Sequence, residues 1–238
     1  GPQDELKPRQ ARRPSRPLTG AANHMHVVIT GANRGIGRAL LDRYASAGHD
    51  VTGTSRAGGD LAPLDVADPA SHAALAHRLD GRAVDLLICN AGIYPDKDQT
   101  LADGYPADMW AETFATNVTG VFLSVQSLLP NLQLSHAPRI AIISSQMGSA
   151  TRAPGGSYIY RASKAAALNL GRNLAVDLAP LSIAVGIYHP GWVRTDMGGG
   201  GADIAVDEAA NGMIDRFAEL DPATSGCFRT WDGRDHPF

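Results

Sequence analysis

Short apolar runs alternate along the chain with longer stretches whose apolar residues recur every three or four positions. "HVVIT" (26–30) is rich in β-branched residues, breaks at "GANRGIG" and is followed by "RALLDRYASAG", whose apolar spacing is helical. "DVTGT" (50–54), "LAPLDV" (61–66), "VDLLICN" (84–90), "RIAIIS" (139–144) and "SIAVGIY" (182–188) read as further strands, with "GCFRTW" (226–231) as a candidate seventh. Helical spacing predicts helices over "SHAALAHRL", over about 106–132 and over about 158–178. The strands are nearly continuous apolar runs, which predicts burial on both faces. Strands alternating with helices imply right-handed crossovers. The predicted fold is α/β: one doubly wound Rossmann domain, its mostly parallel sheet of about seven strands covered by helices on both faces. One connection departs from that plan. About six residues separate the second strand from the third, too few for a crossover helix, so either that helix is absent or the strand bounds differ. The glycine run at 198–201 reads as a mobile loop rather than a domain boundary.

Composition agrees with a packed domain. The 238 residues are 44% hydrophobic and 19% charged, and the many glycines and alanines suit close helix-on-sheet contact. Residues 1–24 differ: Lys7, Arg9, Arg12, Arg13 and Arg16 stand among four prolines without apolar periodicity. With "GP" at the start and "HM" at 24–25, this stretch reads as an expression-derived or disordered arm, and the domain as 25–238. The rival reading is a basic arm for nucleic acid or an acidic partner. Without the arm, 16 basic residues face 22 acidic ones, a net charge of −6, so no nucleic-acid partner is expected. Two cysteines imply no disulfide framework and point to the cytoplasm. No apolar run is long enough for a membrane span, so no membrane partner is expected. The eight histidines lack metal-ligand spacing, and no metal is expected.

The glycine loop carries the first chemistry. It lies between a strand and a helix, where Gly31 permits a tight turn, Gly35 a close backbone approach to a pyrophosphate and Gly37 close helix–strand packing. Asn33, Arg34 and Ile36 complete this set of candidate dinucleotide contacts at the helix N-terminus. The end of the second strand has no carboxylate for a ribose 2′-hydroxyl. It carries Ser55 and Arg56, and Arg56 with Arg34 could clamp a 2′-phosphate, which favours NADP(H) over NAD(H).

The stretch "GGSYIYRASKAAALNL" (155–170) carries the second. A tyrosine of ordinary pKa near ~10 is poorly matched to proton transfer at neutral pH, and a nearby ammonium, together with the positive nicotinamide ring of an oxidised cofactor, lowers it. Tyr160 and Lys164 are four residues apart and share a helix face, whereas Tyr158 is six from Lys164 and does not align. Tyr160 is therefore the candidate acid, and Tyr158 a wall or packing residue.

With "TGANRGIG", "LDV" (64–66), "NAG" (90–92), "TNVTG" (116–120), "ISS" (143–145), "YRASK" (160–164) and "PGWVRTD" (190–196) in this order, residues 25–238 resemble the short-chain dehydrogenase/reductases. "SSQMGS" and "HPGWVRTDMGG" most resemble the C-factor-like, or Sniffer-like, carbonyl-reductase branch. The resemblance implies NADP(H)-linked hydride transfer between a carbonyl and a secondary alcohol. In it Tyr160 is the acid, Lys164 holds the nicotinamide ribose and favours the phenolate, Ser145 bonds the substrate oxygen, and Asn117 holds a relay water. Ser145 lies further from Tyr160 than in most of the family, leaving Ser144 and Ser149 as alternatives. Asp65 and Val66 would face the adenine, with Asn90, Ala91 and Gly92 beneath the ribose. Pro190 and Gly191 would turn the chain past the nicotinamide, Val193 would bond its carboxamide through the backbone, and Thr195 would reach the phosphates. Tyr94, Met147, Tyr158 and Trp192 would wall an apolar substrate pocket. The resemblance also implies a homodimer or homotetramer built on the helices at 106–132 and 158–178. Two other readings stay open: a non-catalytic NADP(H)-binding regulator, and an epimerising or dehydrating member of a biosynthetic pathway.

Overall fold

The computed structural model describes residues 24–191 and 205–238. Seven strands form one sheet in the order β3-β2-β1-β4-β5-β6-β7. They are β1 (His26–Ile29), β2 (Asp50–Ser55), β3 (Ala62–Pro63), β4 (Leu86–Cys89), β5 (Arg139–Ile143), β6 (Ala184–His189) and β7 (Phe228–Thr230). Each neighbouring pair is parallel. Six helices accompany them among the described residues: α1 (Gly35–Ser46), α2 (Pro69–Arg78), α3 (Ala107–Phe114), α4 (Gly120–Gln133), α5 (Tyr158–Leu178) and α6 (Val206–Glu219). The strand order reverses between β1 and β4, which opens a crevice at the carboxyl ends of the strands.

Successive strand residues point to opposite faces, and both faces are apolar. Val28, Leu87, Cys89, Ile140, Ile142, Val185 and Ile187 meet α2, α4 and α5 through Leu75, Val125, Leu128 and Leu168. Val27, Ile29, Leu86, Ile88, Ala141 and Tyr188 meet α1 and α6 through Leu40, Tyr44, Met213 and Phe217. Burial on both faces explains why the strands read as unbroken apolar runs.

The helix that the short β2–β3 gap left in question is absent, and the structure departs from the sequence expectations at two places. The chain turns at Gly58, whose N–H reaches the Ser55 carbonyl, and β3 keeps only two of the six residues the pattern suggested. Helix α6 was not expected. It buries Ala209, Ala210, Met213 and Phe217, with Asp207 and Glu208 in its first turn. The helical region expected over about 106–132 is present as α3 and α4, joined by a π turn at Ala115–Thr119. The expectations for residues 1–23 and for the glycine run at 198–201 lie outside the described residues, as do Trp192, Val193 and Thr195.

Candidate active site

The glycine loop joins β1 to α1 at the crevice. Gly31 and Gly35 have φ of +64° and +59°, the left-handed region that favours glycine. A Cβ at Gly37 would stand 2.3 Å from the Gly31 carbonyl oxygen, so only hydrogen fits there. Arg34 occupies the cap position of α1 and makes no side-chain bond to the helix, which leaves the first-turn N–H groups open to an anion. Thr30, which sequence reading passed over, fastens this loop to the next strand. Its hydroxyl accepts from the Asn90 and Ala91 N–H groups, each at 3.0 Å. The Asn90 side chain donates to the Gly31 carbonyl at 3.0 Å.

Asn33, Arg34 and Arg56 are exposed at the rim of the loop, and Ile36 is buried beneath it. Ser55 is buried, its hydroxyl donating to Gly58 at 3.1 Å, so it shapes the β2–β3 turn. Asp65 likewise works within its own turn, accepting the Ala67 N–H at 3.0 Å. Val66 packs in the core against Gly120, and its carbonyl meets the His72 ring at 2.8 Å. Pro190 and Gly191 follow β6 at the far side of the crevice, Gly191 with φ of +84°.

Four candidate catalytic side chains meet at the same ends of β4 and β5. Tyr160 and Lys164 lie on one face of α5, both buried, with Lys164 Nζ 5.6 Å from the Tyr160 ring centre. Lys164 Nζ donates to the Ile143 carbonyl at 3.4 Å. Asn117 sits in the π turn, where its amide brackets Ile93 by two bonds of 2.9 Å and donates to Ser163 at 3.1 Å. Gly92 lies between them, since a Cβ there would be 3.4 Å from both Asn117 Oδ1 and Lys164 Nζ. Ser145 stands beside the Tyr160 phenol. Its alternatives are engaged or placed otherwise: Ser149 donates to the Pro237 carbonyl at 2.9 Å, and the Ser144 hydroxyl is buried without a partner among the described residues.

Burial pushes the Tyr160 phenol above the ordinary tyrosine value, outweighing the lowering by Ser145. The lowering expected from Lys164 together with the positive nicotinamide ring belongs to the site with oxidised cofactor bound. Burial also pushes the Lys164 ammonium down, to about 8. In the protein by itself, desolvation therefore dominates both groups.

The expected pocket residues divide. Tyr94 stacks on Tyr160 with ring centres 4.1 Å apart, and Met147 is half-buried in the short turn after Ser145. Tyr158 turns away toward Tyr105, at 5.0 Å between ring centres. Sequence reading missed Asp96, which is fully buried and bonds the first turn of α5.

A family model described as short chain dehydrogenase matches residues 25–202. The chain belongs to the short-chain dehydrogenase family. Among solved structures it is similar to an NADPH-bound carbonyl reductase from chicken fatty liver, with 31% identity and a TM-score of 0.82 over 90% of this chain and 99% of that one. It is also similar to the carbonyl reductase Sniffer of D. melanogaster, with 25% identity and a TM-score of 0.83 over 90% of this chain and 100% of that one. These likenesses set the chain in the carbonyl-reductase, Sniffer-like branch of the short-chain dehydrogenases. C-signal of Myxococcus xanthus is 38% identical over 156 residues, 65% of this chain and 93% of that protein. Among the described residues no helix is long and apolar enough to cross a membrane.

Proposed function

We propose that this short-chain dehydrogenase is a carbonyl reductase that prefers NADPH to NADH, with Tyr160 as its proton donor. The observation that carries this reading is the meeting of Tyr160, Lys164, Ser145 and Asn117 beside Gly92, at the crevice where the open N-terminus of α1 also points. NADPH, when bound, supplies the hydride. The phenol of Tyr160, kept protonated by burial, gives its proton to the carbonyl oxygen. Ser145 donates a hydrogen bond to the same oxygen and orients it. The ammonium of Lys164 offsets the negative charge left on the phenol and holds the cofactor ribose. Asn117 anchors the floor of the site through Ile93, and a water beside it would return a proton toward Lys164.

Arg34 and Arg56 support the preference for NADPH, because both are exposed at the loop rim and no acid closes β2. Exposed Phe122 on α4 and Val176 on α5, at 39% and 72%, support a homodimer or homotetramer built on those helices, which light scattering would size. Both cysteines are free, in keeping with a cytoplasmic setting.

The test is NADPH oxidation with aldehydes, aryl ketones and α-dicarbonyls, beside NADH and a Tyr160→Phe variant. Turnover that favours NADPH and falls by about a hundredfold or more in the variant is the expected result. Equal turnover in the variant would remove Tyr160 from the chemistry. The likeness to C-signal favours a second reading, a regulator that binds NADPH without reducing carbonyls. Tight NADPH binding with no turnover across the panel would select it.

A further inference from the structure

The helix that carries Tyr160 is not capped by its own sequence. Ser157 holds the cap position in a left-handed conformation, φ 47°, and its side chain makes no bond to the helix. That hydroxyl pairs instead with the Tyr94 phenol at 2.5 Å. The cap arrives from the loop after β4. Asp96, fully buried, accepts the Ile159 N–H at 2.9 Å and the Tyr160 N–H at 3.2 Å through Oδ2. Its other oxygen, Oδ1, is buried and has no partner among the described residues.

The same loop touches the start of α5 elsewhere. Tyr94 lies flat on the Tyr160 ring, and the Tyr105 hydroxyl accepts the Ser157 N–H at 3.1 Å. Two of these contacts fall on Tyr160 itself, one on its ring and one on its backbone.

We propose that Asp96 is a positioning residue for the reduction, fixing the Tyr160 phenol by holding the Tyr160 backbone N–H and the first turn of α5. The inference rests on Tyr160 being the proton donor. A phenol displaced by a fraction of an ångström loses its line to the carbonyl oxygen, and Asp96 sets the one fixed point closest to it along the chain. Its charge has a second effect. Lys164 on the same helix, Ser145 after β5 and Tyr94 and Asp96 after β4 face the phenol. Burial holds the phenol protonated, and the Asp96 carboxylate adds in the same direction as a like charge.

The test separates the two effects in the full-length chain. In Asp96→Asn the amide oxygen still accepts the two N–H groups but the charge is gone. In Asp96→Ala both are lost. Ring-labelled tyrosine NMR at neutral pH, with the Tyr160 resonance identified by its disappearance in Tyr160→Phe, reports the placement of the ring against Tyr94 without any substrate. The Tyr160 resonance is expected to move in Asp96→Ala and to stay near its wild-type position in Asp96→Asn. With a carbonyl that the wild type reduces, Asp96→Ala is expected to lower kcat about tenfold to a hundredfold at little change in the NADPH KM, and Asp96→Asn to recover most of it. An unmoved Tyr160 resonance or wild-type kcat in Asp96→Ala would overturn the proposal. If Asp96→Ala does not fold, Asp96→Ser, whose shorter side chain withdraws the acceptor, is read in the same way. Full activity in Tyr160→Phe is a different failure: it removes the proton-donor reading, while the ring resonance still reports whether Asp96 positions Tyr160.

Discussion

Lys164 shows what the site costs the fold. Burial alone pushes its ammonium down to about 8, well below the ordinary lysine value. Between those two values the unfolded chain binds the proton that the folded chain has released. Stability therefore rises with pH across that window, and the full penalty is present below about 8. A shift of this size corresponds to about 3 kcal/mol. Lys164→Met removes the buried charge at nearly constant length. It is expected to abolish turnover while leaving the protein as stable as wild type or more so at neutral pH. Thermal unfolding of both proteins measures this, and the gap between them should close as pH rises toward the ordinary lysine value. A variant that unfolds earlier than wild type at neutral pH would mean that the bond to the Ile143 carbonyl outweighs desolvation.

Among the elements, α5 joins chemistry to packing. Its first turns present Tyr160 and Lys164, and its middle lies against β6 at Gly171, where a Cβ would come within 2.7 Å of the Ile187 side chain. Gly171→Ala is expected to cost about 1–3 kcal/mol by overpacking, read as a lower denaturant midpoint, with the NADPH KM little changed. A large loss of cofactor affinity would instead show that α5 slides as a unit and carries Lys164 with it. The span of α5, Tyr158–Leu178, was legible because its apolar residues hold helical spacing along its whole length. Tyr160 and Lys164 were legible from their own separation. Asp96 was not, because its bonds join residues 63 and 64 positions apart and no local pattern marks such a cap. Thr30 escaped for the same reason, with partners 60 and 61 residues away. Helix α6 is amphipathic, but it starts without a capping side chain at Ala205 and follows the glycine run, where periodicity gives little warning of a start. The β2–β3 link was left open because about six residues are too few for a crossover helix, and only two residues of the apolar run at 61–66 pair as strand.

Across the whole molecule, charge sets a contrast between the body and its cofactor bay. Residues 25–238 carry a net charge of −6, so an anionic dinucleotide meets repulsion at long range. Local attraction must come from specific cations. Nearby Arg38 bridges Asp42 and Asp60, and Arg43 bridges Asp207, whereas Arg34 and Arg56 make no salt bridge to a described residue. Those two guanidinium groups are open to a 2′-phosphate, which NADPH has and NADH lacks. Replacing both, Arg34→Ala with Arg56→Ala, is expected to raise the NADPH KM about tenfold or more and to move the NADH KM far less. Added salt should act in the same sense, because both arginines are exposed and their attraction is screened over about 8–10 Å. If the double variant weakened both cofactors equally, the arginines would be serving the pyrophosphate that the two dinucleotides share. The preference would then have to come from another part of the molecule. If salt instead tightened NADPH binding, the acidic body rather than the arginine pair would dominate the approach of the cofactor.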